Sequence, residues 1–300
     1  MSRIKEIKEN EKIFNYKKYY GVTWEVTSNC NLKCRYCVLN SEEYFQDTSK
    51  IISFINRLNK RNNVSTTLFG GEPTQHPDIL RIVESLESHI QLFSNMSGPI
   101  ELYEEILRLK PDTRIETTYH NDQKNFTEFF KKVEVLSKRT RVLVYLMLDT
   151  KYSDIREMYE ILRTINVDIS VLKIQNKDQR ELSPEEESWF KSVHKGDQVI
   201  IVDDSGKETP TSVGYIYANN LNNFKYYLCD CGKKNMYISS KGLCYPCLDY
   251  KRGNLPFYDI NSPNDSSLEE ILSKGTVCLM PYCTSEISTP KKRTLNLKKR

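Results

Sequence analysis

The chain has 300 residues, 38% of them apolar and 11% aromatic, and its 44 Lys and Arg against 40 Asp and Glu give a net charge of +4. This length predicts one large domain with a smaller appendage, and so mild a charge does not indicate a nucleic-acid partner. No stretch approaches the roughly 18 consecutive apolar residues of a membrane span, and the charged N-terminus lacks the apolar core of a signal peptide, so we expect a cytoplasmic protein without a membrane span.

Residues 21–175 alternate between strand-like and helix-like patterns. Alternating or continuous apolar residues predict six strands, at 22–27, 65–69, 91–94, 114–118, 142–148 and 168–174. The segments between them carry apolar residues at helical spacing, which predicts a helix in each interval. Strands joined through helices predict an α/β fold with a parallel sheet, although periodicity does not distinguish an open sheet from a curled one. The nearly continuous apolar run at 142–148 predicts a strand buried on both faces.

Three cysteines follow the first predicted strand. Cys30, Cys34 and Cys37 are separated by three and two residues, which places three thiols on one short loop. In a reducing cytosol such cysteines are better explained as metal ligands than as disulfides. A closed tetrahedral site takes four protein ligands, whereas a cubic iron–sulfur cluster on three cysteines leaves one iron open to another ligand. The alternative is a zinc knuckle with a distant fourth ligand.

A glycine pair follows the second predicted strand, in the segment Gly70-Gly71-Glu72-Pro73. Adjacent glycines allow the backbone to approach a ligand closely. Ligands of α/β sheets and barrels lie at the carboxyl ends of the strands, and polar residues collect at those predicted ends. Besides the two motifs, these residues are Ser94, Asn95, Thr117, Thr118, His120, Asp149, Gln175 and Asn176. His120 is a candidate acid, base or substrate contact, although a surface-loop histidine explains it as well.

Together the CxxxCxxC and GGEP motifs resemble the radical S-adenosylmethionine (radical SAM) superfamily. The resemblance implies a partial (β/α)6 barrel over residues 21–180. It also implies a [4Fe-4S] cluster on Cys30, Cys34 and Cys37, whose open iron is chelated by the amino and carboxylate groups of S-adenosylmethionine. Reductive cleavage of that molecule then produces a 5′-deoxyadenosyl radical.

The same resemblance implies contacts to S-adenosylmethionine. Tyr36 matches an aromatic residue that the family places beside the adenine and the cluster. The carboxylate and backbone carbonyls of the glycine turn would accept hydrogen bonds from the amino group. Three polar residues at strand ends are positional candidates for the ribose and the methionine carboxylate. The predicted S-adenosylmethionine site therefore contains Tyr36, Gly70, Gly71, Glu72, Pro73, Ser94, Asn95 and Thr117.

The pattern changes after residue 176. Ser183-Pro-Glu-Glu-Glu187 predicts the start of a short helix, and strand-like pieces follow at 198–202 and 213–218. The tail at 291–300 carries six positive charges, which predicts a solvated end, with RNA, an acidic peptide or a membrane surface as alternative contacts. The predicted divisions are an N-terminal extension (1–20), the partial barrel (21–180), a connecting segment (181–228), a small Cys-rich domain (229–290) and the basic tail (291–300).

Six cysteines lie in the last 72 residues. The segment Cys231–Gly242–Cys247 resembles the opening of the SPASM and twitch auxiliary-cluster domains, C-x(9–15)-G-x4-C. Cys278 and Cys283 would complete the four ligands of one auxiliary [4Fe-4S] cluster, with Cys229 and Cys244 as alternative ligands. A rival interpretation stays open, because Cys229-x-Cys231 with Cys244-x2-Cys247 has the spacing of a four-thiolate zinc knuckle.

The resemblance implies a radical SAM enzyme that modifies a peptide or protein, helped by the auxiliary cluster, with an electron donor such as a flavodoxin or ferredoxin. One alternative is a radical SAM enzyme acting on a small molecule such as a sugar, nucleoside or cofactor precursor. An alternative of another class is a zinc-knuckle protein that binds nucleic acid through its basic tail.

Overall fold

The computed structural model describes residues 4–10, 19–34, 36–37, 39, 48–120, 123, 125–148, 152–173, 181–193, 199–283, 285 and 288–293. The helices are α1 (Ser49–Arg61), α2 (Ile79–Ser85), α3 (Ile100–Leu109), α4 (Phe126–Ser137), α5 (Tyr152–Leu162), α6 (Pro184–Val193), α7 (Val213–Ala218), α8 (Leu248–Arg252) and α9 (Asp265–Lys274). None of the helices in these ranges combines the length and apolarity that crossing a bilayer requires.

The strands are β1 (Ile4–Glu9), β2 (Tyr20–Thr27), β3 (Val64–Gly70), β4 (His89–Ser94), β5 (Arg114–Tyr119), β6 (Val142–Leu148), β7 (Asp168–Lys173), β8 (Val199–Asp203), β9 (Glu208–Thr211), β10 (Tyr227–Cys229), β11 (Asn235–Ile238), β12 (Leu243–Tyr245), β13 (Tyr258–Asp259), β14 (Thr276–Val277) and β15 (Lys291–Arg293). The chain divides into two compact units, one formed by residues 23–189 and the other by residues 1–22 with 190–300.

In the unit of residues 23–189, strands β2 to β7 lie side by side in chain order. Strands β3 to β7 are parallel, and their register places Ser94 opposite Thr117 and Thr118 opposite Tyr145. The predicted α/β fold, with parallel strands in the order of a partial (β/α)6 barrel, is confirmed. Because the strands are parallel, their carboxyl ends lie along one edge, where the candidate residues collect.

One face of these parallel strands is buried and the other is partly exposed. Along β6 the residues alternate strictly, with Val142, Val144 and Leu146 buried and Leu143 and Tyr145 partly exposed. The expectation that this strand is buried on both faces is therefore wrong. Apolar stripes on the helices, such as Phe129, Val133 and Leu136 of α4, are buried and can cover one face of a sheet. The other face of the strands is partly exposed.

Two of the helices in this unit begin with side-chain caps. The Asn125 side chain accepts a hydrogen bond from the Glu128 backbone N–H at the start of α4. At α6 the Glu186 carboxylate accepts from the Ser183 N–H at 2.8 Å, and the Ser183 hydroxyl accepts from the Glu186 N–H at 3.3 Å. This reciprocal capping box explains why the predicted helix begins at Pro184.

The unit of residues 1–22 and 190–300 is built on a six-stranded sheet in the order β14-β10-β15-β1-β8-β9, whose strand pairs are antiparallel. The N-terminal extension and the connecting segment thus supply strands to the sheet that contains Cys229. Strands β11, β12 and β13 form an antiparallel series in the same unit. Its core cluster comprises Ile4, Ile7, Val199, Ile216, Phe224, Tyr227 and Cys283.

Two expectations for this unit are corrected. Residues 213–218 form helix α7 instead of a strand, because the Ser212 hydroxyl accepts the Tyr215 N–H at 2.9 Å and caps a helical turn that buries Ile216. The beginning of the expected solvated tail forms β15, and Lys291 is buried there. The rest of that tail, residues 294–300, lies outside the described residues.

Candidate active site

The first candidate site begins where β2 ends. Cys30 and Cys34 are partly buried and Cys37 is exposed, and all three are free thiols. The Cys37 N–H donates to the Cys34 carbonyl at 3.0 Å, which closes a turn, and Cys30 Sγ accepts from the Leu32 N–H at 3.4 Å. Burial raises the pKa of Cys30, and the charges of Glu72 and Cys37 act in the same direction. The neighbours Arg35 and Val38 lie outside the described residues.

The glycine pair packs against the backbone that leads into this loop. The Gly71 N–H donates to the Thr27 carbonyl and the Glu72 N–H to the Asn29 carbonyl, both at 2.8 Å. A Cβ at Gly70, whose φ is +140°, would overlap the Thr27 carbonyl, and one at Gly71 would lie 2.7 Å from the Ser28 oxygen. Glycine is therefore required here for contact between the two motifs.

The Glu72 carboxylate is fully buried and accepts four hydrogen bonds. One oxygen accepts from the Thr74 N–H at 3.1 Å, the Thr74 hydroxyl at 2.7 Å and the Ser94 hydroxyl at 2.8 Å, and the other accepts from the Asn95 N–H at 2.6 Å. Burial raises the pKa of Glu72, and these hydrogen bonds oppose the rise. Glu72 thus ties the end of β3 to the end of β4, with its carboxylate engaged by protein donors.

Asn95 connects this network to the cysteine loop. Its Nδ2 donates to Asn31 Oδ1 at 3.0 Å and lies 3.9 Å from Cys30 Sγ, while the Ser97 hydroxyl donates to the same Asn31 oxygen at 3.1 Å. Asn31 lies directly after Cys30, but the motifs assigned it no role. Only the fold reveals that Asn31 accepts a hydrogen bond from Asn95. In the sequence, its position in a loop at a strand end is a general signal for a site residue.

Thr117 lies next to this network on β5, opposite Ser94 in the register. The Thr117 hydroxyl is buried and has no hydrogen-bond partner in the structure, whereas the Ser94 hydroxyl is engaged by Glu72, Tyr103 and the Met96 N–H. A buried hydroxyl without a partner among the described residues is costly. The register places Thr117 opposite Val144, on the buried face of the strands, so a ligand that supplies the partner would reach it from the carboxyl edge.

Tyr36 and His120 are brought together. The Tyr36 hydroxyl lies 2.9 Å from His120 Nδ1, and the two rings stack at 5.9 Å with an interplanar angle of 23°. Gln123 holds the histidine segment, since its side-chain oxygen accepts the His120 N–H at 2.8 Å and its Nε2 donates to the Asn95 carbonyl. The candidate histidine therefore lies against the predicted site residue Tyr36, whereas Asp149, Gln175 and Asn176 lie outside the described residues.

The thiols and polar groups of this site fit the [4Fe-4S] cluster and the S-adenosylmethionine that the motifs imply. Three thiols lie on one loop, a glycine turn contacts that loop, and the buried Thr117 hydroxyl lacks a partner. Within the described ranges, no group of three or more His, Cys, Asp or Glu side chains is arranged to hold a single metal ion. In a four-iron cluster each thiolate instead binds a different iron, so its ligands do not converge on one point.

Beside this edge, the partly exposed face of the parallel strands carries an aromatic row. Phe69 packs edge-on against Phe93 at 5.4 Å, and Phe93 stacks with Tyr145 at 5.6 Å. The Tyr145 hydroxyl donates to the Glu116 carboxylate at 2.9 Å. Burial raises the pKa of Glu116, and the hydrogen bond from Tyr145 opposes the rise.

The second candidate site comprises cysteines from distant parts of the chain, and all six are buried. Cys231 lies in hydrogen-bond contact with both Cys229 and Cys247, and these contacts, ahead of burial, raise its pKa. The Cys231 thiol in turn lowers the pKa of Cys229 to about 6. Burial raises the pKa of Cys278 to about 11 and that of Cys283 still further, with Cys229 and Cys247 as charged neighbours of both.

Cys244 stands apart from this group. It lies in β12 and pairs with Ile238 of β11 and Tyr258 of β13. Burial raises the pKa of Cys244, and the charge of Asp259 raises it further. Electrostatic contacts connect the four predicted ligands Cys231, Cys247, Cys278 and Cys283 with the alternative Cys229. Cys244 is linked to Cys231 through Tyr20, a neighbour of both.

Comparison with known proteins identifies relatives of this architecture. A family model described as the Radical SAM superfamily matches residues 24–180, just over half of the chain. SuiB of Streptococcus suis, solved bound to S-adenosylmethionine, is 16% identical, with a TM-score of 0.59 over 85% of this chain and 68% of SuiB. The protein anSMEcpe, solved with bound AdoMet and the Cp18Cys peptide, is 14% identical, with a TM-score of 0.53 over 83% of this chain and 80% of that protein. These likenesses show a shared fold, and no curated protein sequence matches the chain.

Proposed function

The chain belongs to the radical SAM superfamily, and we propose that it cleaves S-adenosylmethionine reductively and uses the resulting 5′-deoxyadenosyl radical to modify a peptide or protein. The observation that carries the proposal is the contact between the two motifs. The Gly70–Gly71 turn is hydrogen-bonded to residues 27–29, immediately before Cys30. Loop and turn therefore form one rigid edge, as a cofactor bound to both would require.

Within the proposal, Cys30, Cys34 and Cys37 hold a [4Fe-4S] cluster. When bound, the cluster supplies the electron that cleaves S-adenosylmethionine. The chain's own residues bind and orient. The Glu72 carboxylate already accepts four hydrogen bonds from protein donors, so the turn's backbone carbonyls are the first proposed acceptors for the amino group. The second oxygen of Glu72, which accepts one hydrogen bond, is a further acceptor.

Tyr36 and Thr117 are the proposed contacts to the remainder of S-adenosylmethionine. The stacked pair of Tyr36 and His120 offers a flat surface for an adenine ring, held in place through Gln123. The Thr117 hydroxyl is buried without a partner and would gain one from a ribose hydroxyl or a carboxylate. Ser94 and Asn95 act indirectly in this proposal, because both are engaged by Glu72.

The substrate is proposed to lie on the partly exposed face of the parallel strands. Phe69, Phe93 and Tyr145 provide an apolar row there, and Glu116 provides a polar group at its side. A peptide suits a face that combines aromatic and carboxylate groups. The shared fold with anSMEcpe, solved with a bound peptide, supports the same substrate class.

An auxiliary [4Fe-4S] cluster is proposed on the second group of cysteines. Five buried thiols are connected there through the shared neighbours Cys229 and Cys247, one more than four ligand positions require. They are Cys229, Cys231, Cys247, Cys278 and Cys283. The cluster would take an electron from the substrate radical or hold the substrate. A flavodoxin or ferredoxin is the proposed electron donor to the enzyme.

The test is anaerobic incubation of the reconstituted protein with S-adenosylmethionine and dithionite, followed by assay for 5′-deoxyadenosine. We expect its formation, together with about eight iron atoms per chain and no zinc, as two four-iron clusters require. A colourless protein that contains zinc and leaves S-adenosylmethionine intact would overturn the proposal.

A further inference from the structure

Lys291 is buried beside the second group of cysteines. It is 2% exposed, although it opens the basic tail. In the six-stranded sheet it pairs with Cys229 on one side and with Ile7 on the other. Side chains of directly opposed residues lie on the same face of a sheet, so Lys291 is the immediate cross-strand neighbour of the Cys229 thiol.

The Lys291 ammonium has two described contacts besides this cross-strand neighbour. Nζ lies 5.4 Å from the centre of the Phe224 ring and donates to the Thr289 carbonyl at 2.7 Å. Phe224, Ile7 and Cys283 belong to the core cluster of this unit. A cation buried this close to a thiol stabilises a negative charge there, because the local dielectric is low.

The charge of Lys291 reaches several of these cysteines. Its positive charge acts on Cys229, Cys278 and Cys283. The acids of this region act in the opposite direction, Asp230 on Cys229 and Asp249 on Cys283. Asp249 is itself paired with Arg252 at 3.0 Å.

We propose that Lys291 is the buried counter-charge of the auxiliary iron–sulfur cluster and sets its reduction potential. This inference rests on the auxiliary cluster proposed above. A cluster held by four thiolates is anionic and becomes more so when it gains an electron. A fixed cation beside it stabilises the reduced state more than the oxidised one, which raises the reduction potential.

The test isolates the auxiliary cluster in the full-length chain. A background with Cys30, Cys34 and Cys37 replaced by Ala removes the other cluster, and a potentiometric titration with dithionite, followed by EPR, then reports one midpoint potential. Lys291→Met is compared with Lys292→Met, because Lys292 is the exposed neighbour on the opposite face of β15. Lys291→Arg keeps the charge, and Lys291→Gln keeps a donor for the Thr289 carbonyl without the charge.

We expect Lys291→Met and Lys291→Gln to shift the midpoint to more negative potential, whereas Lys292→Met and Lys291→Arg leave it near that of the background protein. If the Met variant does not fold, the Gln variant decides. Equal midpoints in the position 291 and position 292 variants, at equal iron content, would overturn the role of Lys291 alone. Absence of iron in the triple-alanine background would instead overturn the auxiliary cluster itself, and the inference with it.

Discussion

The two cysteine regions differ most in their exposure to solvent. After the end of β2, Cys30 and Cys34 are only partly buried and Cys37 is exposed, all within eight consecutive positions of the sequence. In the other unit all six cysteines are buried, and they come from separate elements between residues 229 and 283. The two groups of cysteines thus differ in both exposure and origin along the chain.

The difference corresponds to two tasks for a metal site. A site that keeps a position for an exchangeable ligand needs an open side, whereas a site saturated by protein ligands is closed. The cysteine loop offers three thiols and a neighbouring Thr117 hydroxyl without a partner. The buried group offers five thiols and a buried cation, Lys291. Under the proposed function, this difference in exposure corresponds to a site for turnover and a site for electron transfer or structure.

The largest expected effect separates the two regions by activity. Cys34→Ala removes a proposed cluster ligand from the open site, so we expect 5′-deoxyadenosine formation to fall to background. The iron of the buried site should remain, at about half of the wild-type content. Retained cleavage of S-adenosylmethionine in this variant would refute the ligand assignment.

Iron removal tests the difference in exposure directly. Brief exposure of the reconstituted protein to air and a chelator should remove the iron of the exposed loop first, because oxidant and chelator reach exposed ligands faster. We expect about half of the iron to be lost in a fast phase. The Cys30, Cys34 and Cys37 triple-alanine variant provides the control and should show the slow phase only. A single rate for all of the iron would contradict the comparison.

Gly71→Ala tests whether the open site depends on contact between its motifs. The added Cβ would collide with the backbone of Ser28 and Asn29, at a cost of about 1–3 kcal/mol, so we expect 5′-deoxyadenosine formation to fall about tenfold or more. Gly206→Ala is the control, because its φ is +86° but no atom lies within 4 Å of the added Cβ. It should lose about 1 kcal/mol of stability without losing cleavage. Equal losses of cleavage in both variants would indicate backbone strain alone.

Glu72→Gln tests the buried carboxylate that connects β3 and β4. An amide group replaces one acceptor oxygen, so we expect a loss of about 1–3 kcal/mol in the free energy of unfolding at neutral pH. Folding raises the pKa of Glu72, so protonation of this carboxylate stabilises the wild-type protein at low pH. That stabilisation is lost as the pH rises through the raised pKa. In urea titrations, the free energy of unfolding of the wild type relative to that of Glu72→Gln should therefore fall as the pH rises. A pH-independent difference would contradict the raised pKa.

The smallest effect is expected at Cys244. This cysteine neighbours Asp259 and stands apart from the grouped thiols, so Cys244→Ala should cost about 1 kcal/mol of stability and retain all of the iron. Cys278→Ala is the matched comparison and should lose the auxiliary iron. Equal iron loss in the two variants would restore Cys244 to the ligand set.

Much of the parallel sheet could be predicted from periodicity. The run at 142–148 coincides with β6, and 114–118 with β5. Local patterns failed where a cap or a distant partner decided the outcome. Ser212 caps helix α7, although the β-branched and aromatic residues of segment 213–218 favour a strand. Lys291 pairs with Ile7 and Cys229 in a sheet, although the sequence predicts a solvated tail there.

The sequence by itself determined the family, the α/β architecture and the two groups of cysteines, because motif spacing and hydrophobic period are local properties of the chain. Only the tertiary structure decided that Asn31 meets Asn95, that Tyr36 meets His120, and which cysteines lie together. Those pairings join residues up to 84 positions apart. They depend on strand order and register, which bring distant residues together and which no short pattern encodes.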